Sequence, residues 1–153
     1  MKAETQNKWK KRAVRVLFVV YLMVLAYFLF FSERYGRGNL HGTYRYNLEP
    51  FQEIKRFLQH WRVVGWESFV VNILGNVLAF APFGFLLPIV STHNRSFWSV
   101  ALYSFESSLC IELIQLSFQV GIFDVDDLMM NTAGGIIGYL FFLTQKKRLK
   151  KLL

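Results

Sequence analysis

The sequence contains few of the residues from which reactive sites are commonly built. Cys110 is the only cysteine, which excludes an internal disulfide and a cysteine-rich metal site. The three histidines are scattered, and the chain has no Gly-x-Ser-x-Gly motif, no His-Glu-x-x-His motif and no phosphate-cradling glycine loop. We therefore expect no cofactor and no bound metal, and catalysis is an alternative that only carboxylates would support.

Apolar residues, in contrast, are abundant. Hydrophobic residues make up 54% of the 153 residues, aromatic residues make up 18%, and the mean hydropathy is +0.29. These values are typical of an integral membrane protein rather than of a soluble domain of this size. Apolar runs at about 14–31, 69–90, 97–118 and 128–143 predict an all-α bundle of four transmembrane helices, which forms a single domain over residues 1–153. The first run lacks a small-x-small cleavage site after it, so we interpret it as an uncleaved span.

The net charge of +8 is concentrated beside the first and the last apolar run. Basic residues in such positions mark the cytoplasmic face of a membrane protein. With both termini in the cytoplasm, twelve Lys and Arg lie on the cytoplasmic side of the predicted spans and six lie outside. We therefore predict a multi-pass protein of the cell membrane with cytoplasmic N and C termini. No recognition helix or aromatic platform interleaves the basic residues, so we expect no nucleic-acid partner.

The connector between the first two spans, residues 32–67, lies outside the cell in this topology. From Pro50 to Trp61 its apolar residues recur with a helical period, and Lys and Arg surround them. This pattern predicts an extracellular amphipathic helix on the membrane surface. Two interpretations stay open, namely a covering loop and a lid over a site.

The third predicted span carries a polar stripe. Ser104, Ser108, Glu112, Gln115 and Gln119 lie within a helical arc of roughly 80°. A carboxylate at the bilayer centre costs about 2.5–3.5 kcal/mol, less near the edge. Glu112 therefore needs a polar partner or water.

A second polar face opens the fourth predicted span. Asp124, Asp127, Asn131, Gly134 and Gly138 lie within an arc of roughly 80°. Two asparagines one turn apart form a third face, on the second span, and the predicted topology places all three faces in the outer leaflet. We therefore predict one polar pocket that opens to the extracellular side and is lined by Asn72, Asn76, Glu112, Gln115, Asp124, Asp127 and Asn131.

The chemistry of these side chains leaves three alternatives open. Carboxylates and amides without thiolate or imidazole suit a hydrogen-bonding ligand or a hard cation. The acids would otherwise pair with connector arginines in a structural network, or Asp127, Asp124 and Glu112 would supply a catalytic pair. Close packing of the fourth span against a neighbouring helix is predicted from its small residues, Gly134, Gly135 and Gly138.

Four blocks of the sequence form a specific set when taken together. They are the Asn-Leu-Glu-Pro-Phe segment at 47–51, residues 72–84, Glu-Leu-Ile-Gln at 112–115 and the Phe-Asp block at 123–127, which continues at Asn131 and the three glycines. Through these blocks, which span about two-thirds of the chain, the chain resembles the VanZ-like membrane proteins. The family often carries an arginine shortly before the Phe-Asp block, where this chain has Gly121. If that arginine neutralises the acids, a connector arginine must take its place here.

The resemblance implies resistance to teicoplanin-type glycopeptide antibiotics in Gram-positive bacteria, without alteration of the peptidoglycan precursor. Together with the predicted pocket, it leads to the hypothesis that an outer-leaflet site binds a lipid-linked or lipophilic ligand and reduces antibiotic accumulation at the cell surface. A membrane lipid, a lipid-linked cell-wall precursor and a lipoglycopeptide are the candidate partners. The alternatives are a small membrane enzyme that acts on an envelope lipid and a scaffold or assembly protein, and the oligomeric state stays open.

Overall fold

The computed structural model describes residues 2–31, 44–52, 54–56, 59–60, 66–91, 93 and 95–152. In chain order the elements are α1 (Lys2–Phe31), β1 (Tyr46–Asn47), α2 (Trp66–Val90), α3 (Phe97–Ser117), β2 (Phe123–Asp124) and α4 (Val125–Leu152). The prediction of a mainly helical chain is confirmed. The two short strands were not predicted, because each has only two residues and depends on a partner far away in the sequence.

Three helices are long and apolar enough to cross a membrane. Among the described residues the candidate segments are Lys8–Phe30, Asn72–Val90 and Phe97–Ser117. Helix α4, which we predicted as the fourth span, is not among them, since Asn131, Thr132 and several glycines dilute its apolar run. The three segments indicate a membrane protein.

Helices α1 and α4 extend beyond the predicted spans. We placed the first span at 14–31 and the last at 128–143, whereas α1 begins at Lys2 and α4 ends at Leu152. The added turns consist largely of Lys, Arg, Gln and Glu, whose unbranched side chains lose little freedom in a helix. The predicted extracellular helix lies partly outside the described residues, and within it residues 54–56 and 59–60 are helical.

Helices α2 and α4 pack backbone against backbone. The contact depends on glycine, because a Cβ added at any of three glycines would overlap a carbonyl of the opposite helix. Such close approach is how small residues support helix association in a membrane. The contacts join Gly134 to the carbonyl of Val77, Gly138 to that of Ala81, and Gly84 to that of Gly135.

An aromatic and aliphatic core joins the four helices. The buried side chains come from all four helices, and they are Leu25, Phe80, Phe83, Leu87, Val100, Tyr139 and Phe142. Helix α1 is held to this core by the hydroxyl of Tyr21, which donates to the carbonyl of Ala79 at 2.6 Å. Helix α2 continues through Pro82 and Pro88.

The two ends of the bundle differ in charge. At one end, basic residues from α1, from the turn before α3 and from α4 surround a common cavity. At the other end, Glu112 of α3 meets the acidic start of α4. This separation places the candidate site at the end opposite the chain termini.

Candidate functional site

The site is organised around the parallel pairing of β1 with β2. Tyr46 lies opposite Phe123 and Asn47 lies opposite Asp124. The Phe123 N–H donates to the carbonyl of Arg45 at 3.1 Å. The pairing fixes the connector against the first residues of α4, so the Asn-Leu-Glu-Pro-Phe segment and the Phe-Asp block form one structural unit.

Asp124 accepts hydrogen bonds from two segments through one oxygen. Its Oδ1 accepts the N–H of Asp126 at 2.8 Å, which caps the N-terminus of α4, and it also accepts Nδ2 of Asn47 at 3.0 Å. Asn47 in turn accepts the N–H of Glu49 at 3.1 Å through its own Oδ1 and so shapes the connector turn.

Burial raises the pKa of Asp124, and the negative charge of Asp126 adds to this rise. The hydrogen bonds from Asp126 N–H and from Asn47, together with the positive charge of Arg56, act in the opposite direction. Arg56 is therefore the connector arginine whose charge reaches Asp124 among the described residues.

Asp126 holds the connector in a strained conformation. Its side chain is 4% exposed, and its Oδ1 accepts the N–H of Phe51. Phe51 has a φ of 64°, in the left-handed region that is unfavourable for residues other than glycine. Asp126 was not predicted as a site residue, because an acid in the first turn of a helix is common and does not indicate a partner 75 positions away.

Glu112 connects α3 to β2, and Asp127 connects the start of α4 to α2. Glu112 is 2% exposed, and its Oε2 accepts the N–H of Asp124 at 3.0 Å. Asp127 accepts Nδ2 of Asn76 through its Oδ1. Both Asp127 and Asp124 lie within electrostatic range of Glu112. The structure thus brings four of the seven predicted site residues into one cluster. We call the whole set the acidic network, and it comprises Asn47, Asn76, Glu112, Asp124, Asp126 and Asp127.

Asn131 lies next to the acidic network and binds a residue that we had not assigned to the site. Its Nδ2 donates to the hydroxyl of Ser108 at 2.9 Å, and both side chains are buried. Among the described residues its Oδ1 has no hydrogen-bond partner. The polar stripe on the third predicted span had placed Ser108 on the same face as Glu112, so the signal for this contact was in the sequence.

Two other predicted site residues, like Asn131, lie outside the acidic network. Gln115 donates from Nε2 to the carbonyl of Leu29 at 2.9 Å and thereby ties α3 to α1. Its side chain lies beside Gly121, where an added Cβ would come within 3.1 Å of the Gln115 Cβ. Asn72 lies one turn before Asn76 on α2 and is half-buried.

An apolar cavity lies beside the acidic network. Its volume is about 200 Å³, and its walls come from the connector, α2 and α4. Asp126 is the only polar residue among the described residues that line it. We call this cavity the apolar groove, and its described lining is Phe51, Ile54, Val77, Asp126, Met129, Met130 and Ala133.

The arrangement indicates how the carboxylates are used. Asp124, Asp126 and Glu112 each accept a backbone N–H, so they fix the chain in the region where β1, β2 and α4 meet. In the described part of the chain, no group of three or more His, Cys, Asp or Glu side chains is placed to hold a metal ion. The geometry is that of a hydrogen-bonded clamp that forms one wall of an apolar groove.

Comparison with known proteins gives two matches. A family model described as VanZ/LLP1 matches residues 18–146. Protein VanZ of Enterococcus faecium is 30% identical over 142 residues, an alignment that covers 90% of this chain and 78% of that protein. No solved structure matches the chain.

Proposed function

The chain belongs to the VanZ/LLP1 family, and from this premise we propose that it is a multi-pass membrane protein that confers resistance to teicoplanin-type glycopeptide antibiotics on a Gram-positive cell. The family supports a VanZ-type resistance protein. The apolar helices support its place in the membrane. The topology, the ligand and the mode of action that follow are part of the proposal.

Helix α4 provides the fourth crossing in this proposal. Its polar side chains are turned inward, since Asn131 is 2% exposed. Its outward side chains are apolar, as at Ile137, Leu140 and Phe141, each at least half exposed. A helix with a polar inner face and an apolar outer face suits contact with lipid. The basic residues at both ends of the chain then lie in the cytoplasm, and the acidic network lies in the outer leaflet.

The apolar groove is the observation on which the ligand class depends. A cavity of about 200 Å³ with apolar walls accommodates part of a hydrocarbon chain rather than a sugar or a peptide. Asp126 at its edge offers an acceptor to the polar part of the same molecule. We therefore assign to the groove a lipid-linked or lipophilic ligand, either an envelope lipid or the acyl chain of a lipoglycopeptide, whose binding lowers antibiotic accumulation at the cell surface.

The acidic network shapes the groove in this proposal. Phe51 and Ile54 form the connector wall, and the bond from Phe51 N–H to Asp126 holds that wall against α4. Asp124 and Asn47 fix the same segment four residues before Phe51. These acids are therefore positioning residues for the connector.

A bulky residue in the groove tests the proposal. Cells that express Ala133→Phe are compared with wild type and with Ile137→Phe at matched membrane abundance, by teicoplanin and vancomycin susceptibility. Ala133 lines the groove, whereas Ile137 lies one turn further along α4 and faces outward. We expect Ala133→Phe to lose protection against teicoplanin and Ile137→Phe to keep it. Full protection by Ala133→Phe would exclude the groove from the mechanism.

A further inference from the structure

A second cavity lies at the opposite end of the bundle. It has a volume of about 290 Å³ and is enclosed by α1, the end of α2, the turn before α3 and the last turns of α4. Its described lining contains four cations, Lys11, Arg15, Arg95 and Lys146, and no acid. The other six described lining residues are apolar. We call this cavity the basic pocket, and it shares no residue with the acidic network or the apolar groove.

Arg95 is held in place at the basic pocket by two hydrogen bonds. Its Nε donates to the carbonyl of Pro88 at 3.0 Å, and its own carbonyl accepts the hydroxyl of Tyr139 at 2.8 Å. Pro88 and Tyr139 are both buried, so these partners are fixed by the core. Among the described residues, this guanidinium donates a hydrogen bond only through Nε, so its terminal N–H groups can bind another acceptor. The restricted side chain loses little entropy when an anion binds.

No acidic residue balances the charge of the four cations in the described lining of the basic pocket. Like charges that converge on one cavity repel each other, and this repulsion is relieved when an anion occupies the space between them. Phosphate oxygens suit this set, because a guanidinium contacts them with paired N–H groups and ammonium groups add point charges. The charge pattern therefore indicates a phosphate-bearing ligand.

The apolar part of the lining identifies the source of the phosphate. Val14, Ile89 and Leu149 are half-buried residues of the pocket wall. Much of the apolar surface of α1 is exposed, as at Val16, Leu17 and Val19, so the pocket borders a helix that is suited to face lipid. An amphiphile satisfies both parts of the lining, whereas a free phosphate ion satisfies only the cations. Basic pockets between membrane helices commonly hold anionic lipid head groups in this way.

We propose that the basic pocket binds the phosphate head group of an anionic phospholipid in the leaflet that contacts the chain termini. Arg95 and Lys146 hold the phosphate, with Lys11 and Arg15 on the α1 side, and the apolar wall contacts the glycerol and the first acyl carbons. This site is separate from the outer-leaflet groove of the proposed function.

The test uses the full-length protein in detergent, titrated with phosphatidylglycerol or phosphatidylcholine, with bound lipid counted by native mass spectrometry. Wild type is compared with Arg95→Gln/Lys146→Gln and with the control Lys8→Gln/Lys147→Gln. The control removes the same two charges from exposed residues that are not part of the pocket lining. Helix content measured by circular dichroism establishes that each variant is folded.

We expect wild type to prefer phosphatidylglycerol by about tenfold, the pocket variant to lose most of this preference, and the control to keep it. Equal affinity of wild type for both lipids would overturn the proposal, and so would equal losses in the two variants. Displacement of the lipid by an excess of inorganic phosphate would overturn the assignment to a lipid. If the double variant does not fold, the adjacent single changes Lys146→Gln and Lys147→Gln decide by the same comparison.

Discussion

At the residue scale, the acidic network depends on carboxylates that accept backbone N–H groups. Asp124 caps α4 and binds Asn47 through the same oxygen, and it does so although burial raises its pKa. The unfolded chain releases this proton at a lower pH than the folded protein. The folded state therefore binds more protons in this pH range. As a result, the free energy of unfolding falls as the pH rises from the ordinary aspartate pKa of about 4 to the raised pKa of Asp124.

Asp124→Asn separates the hydrogen bonds from the charge. The asparagine Oδ1 accepts both bonds, so we expect stability at neutral pH close to that of wild type and a smaller fall in stability between acidic and neutral pH. Asp124→Ala removes the cap and costs about 1 kcal/mol throughout the range. Thermal unfolding in detergent as a function of pH measures both effects. An unchanged pH dependence in Asp124→Asn would contradict the assignment.

Asp126 allows a second test at this scale. Asp126→Ala leaves the Phe51 N–H without its acceptor, at a cost of about 1–3 kcal/mol if that group stays buried. We expect the connector to detach instead, so that trypsin cleaves faster after Lys55 and Arg56. Asp126→Asn keeps an acceptor oxygen and is the matched control. Equal cleavage rates in wild type and Asp126→Ala would show that this bond does not hold the connector.

At the element scale, the α2–α4 contact sets the geometry of the bundle. The glycine pattern of α4 was readable in the sequence, but its partners on α2 were not, because helical periodicity does not specify how far one helix is displaced along another. Gly84, which faces Gly135, was therefore not recognised. The polar faces did predict that Glu112, Asp124 and Asp127 point toward a common region. The pairing of Asn47 with Asp124 could not be predicted in this way, because it depends on how the connector folds back against β2.

Hydrogen bonds between the predicted site residues could not be read from the sequence either. We predicted that the amides and acids would line one polar pocket. The structure shows Asn76 donating to Asp127 and Gln115 donating to Leu29, so these side chains satisfy each other or the backbone. For a buried polar group, the free energy gained from a hydrogen bond to the protein exceeds the cost of the side-chain entropy that is lost.

Gly138→Ala tests the α2–α4 contact. The added methyl group overlaps the carbonyl of Ala81, so the helices must separate, and we expect a loss of about 1–3 kcal/mol in the free energy of unfolding. Leu140→Ala is the control, because Leu140 is half exposed on the outward face. The midpoint of thermal unfolding in detergent measures both. A midpoint for Gly138→Ala as high as that of Leu140→Ala would contradict the contact.

At the scale of the whole molecule, charge is divided between the two ends. The acidic network occupies one end and the basic pocket the other. The positive-inside rule predicts an orientation in which the basic end lies in the cytoplasm. Both proposed sites depend on this orientation for the leaflet they contact.

Labelling of engineered thiols tests the orientation. In a Cys110→Ser background we expect Val120→Cys to react with a membrane-impermeant maleimide in intact cells. We expect Lys147→Cys to react only after permeabilisation. Replacing Cys110 removes the background signal, since that residue is exposed. The reverse pattern would move both sites to the opposite leaflets.

The pairing of β1 with β2 joins residues 77 positions apart, with both α2 and α3 between them. During synthesis the first partner leaves the ribosome long before the second. Strand β1 therefore stays unpaired until β2 has been synthesised. The pair is thus completed only after β2 has been made, and a chain that stops before residue 123 would carry its first three helices without it.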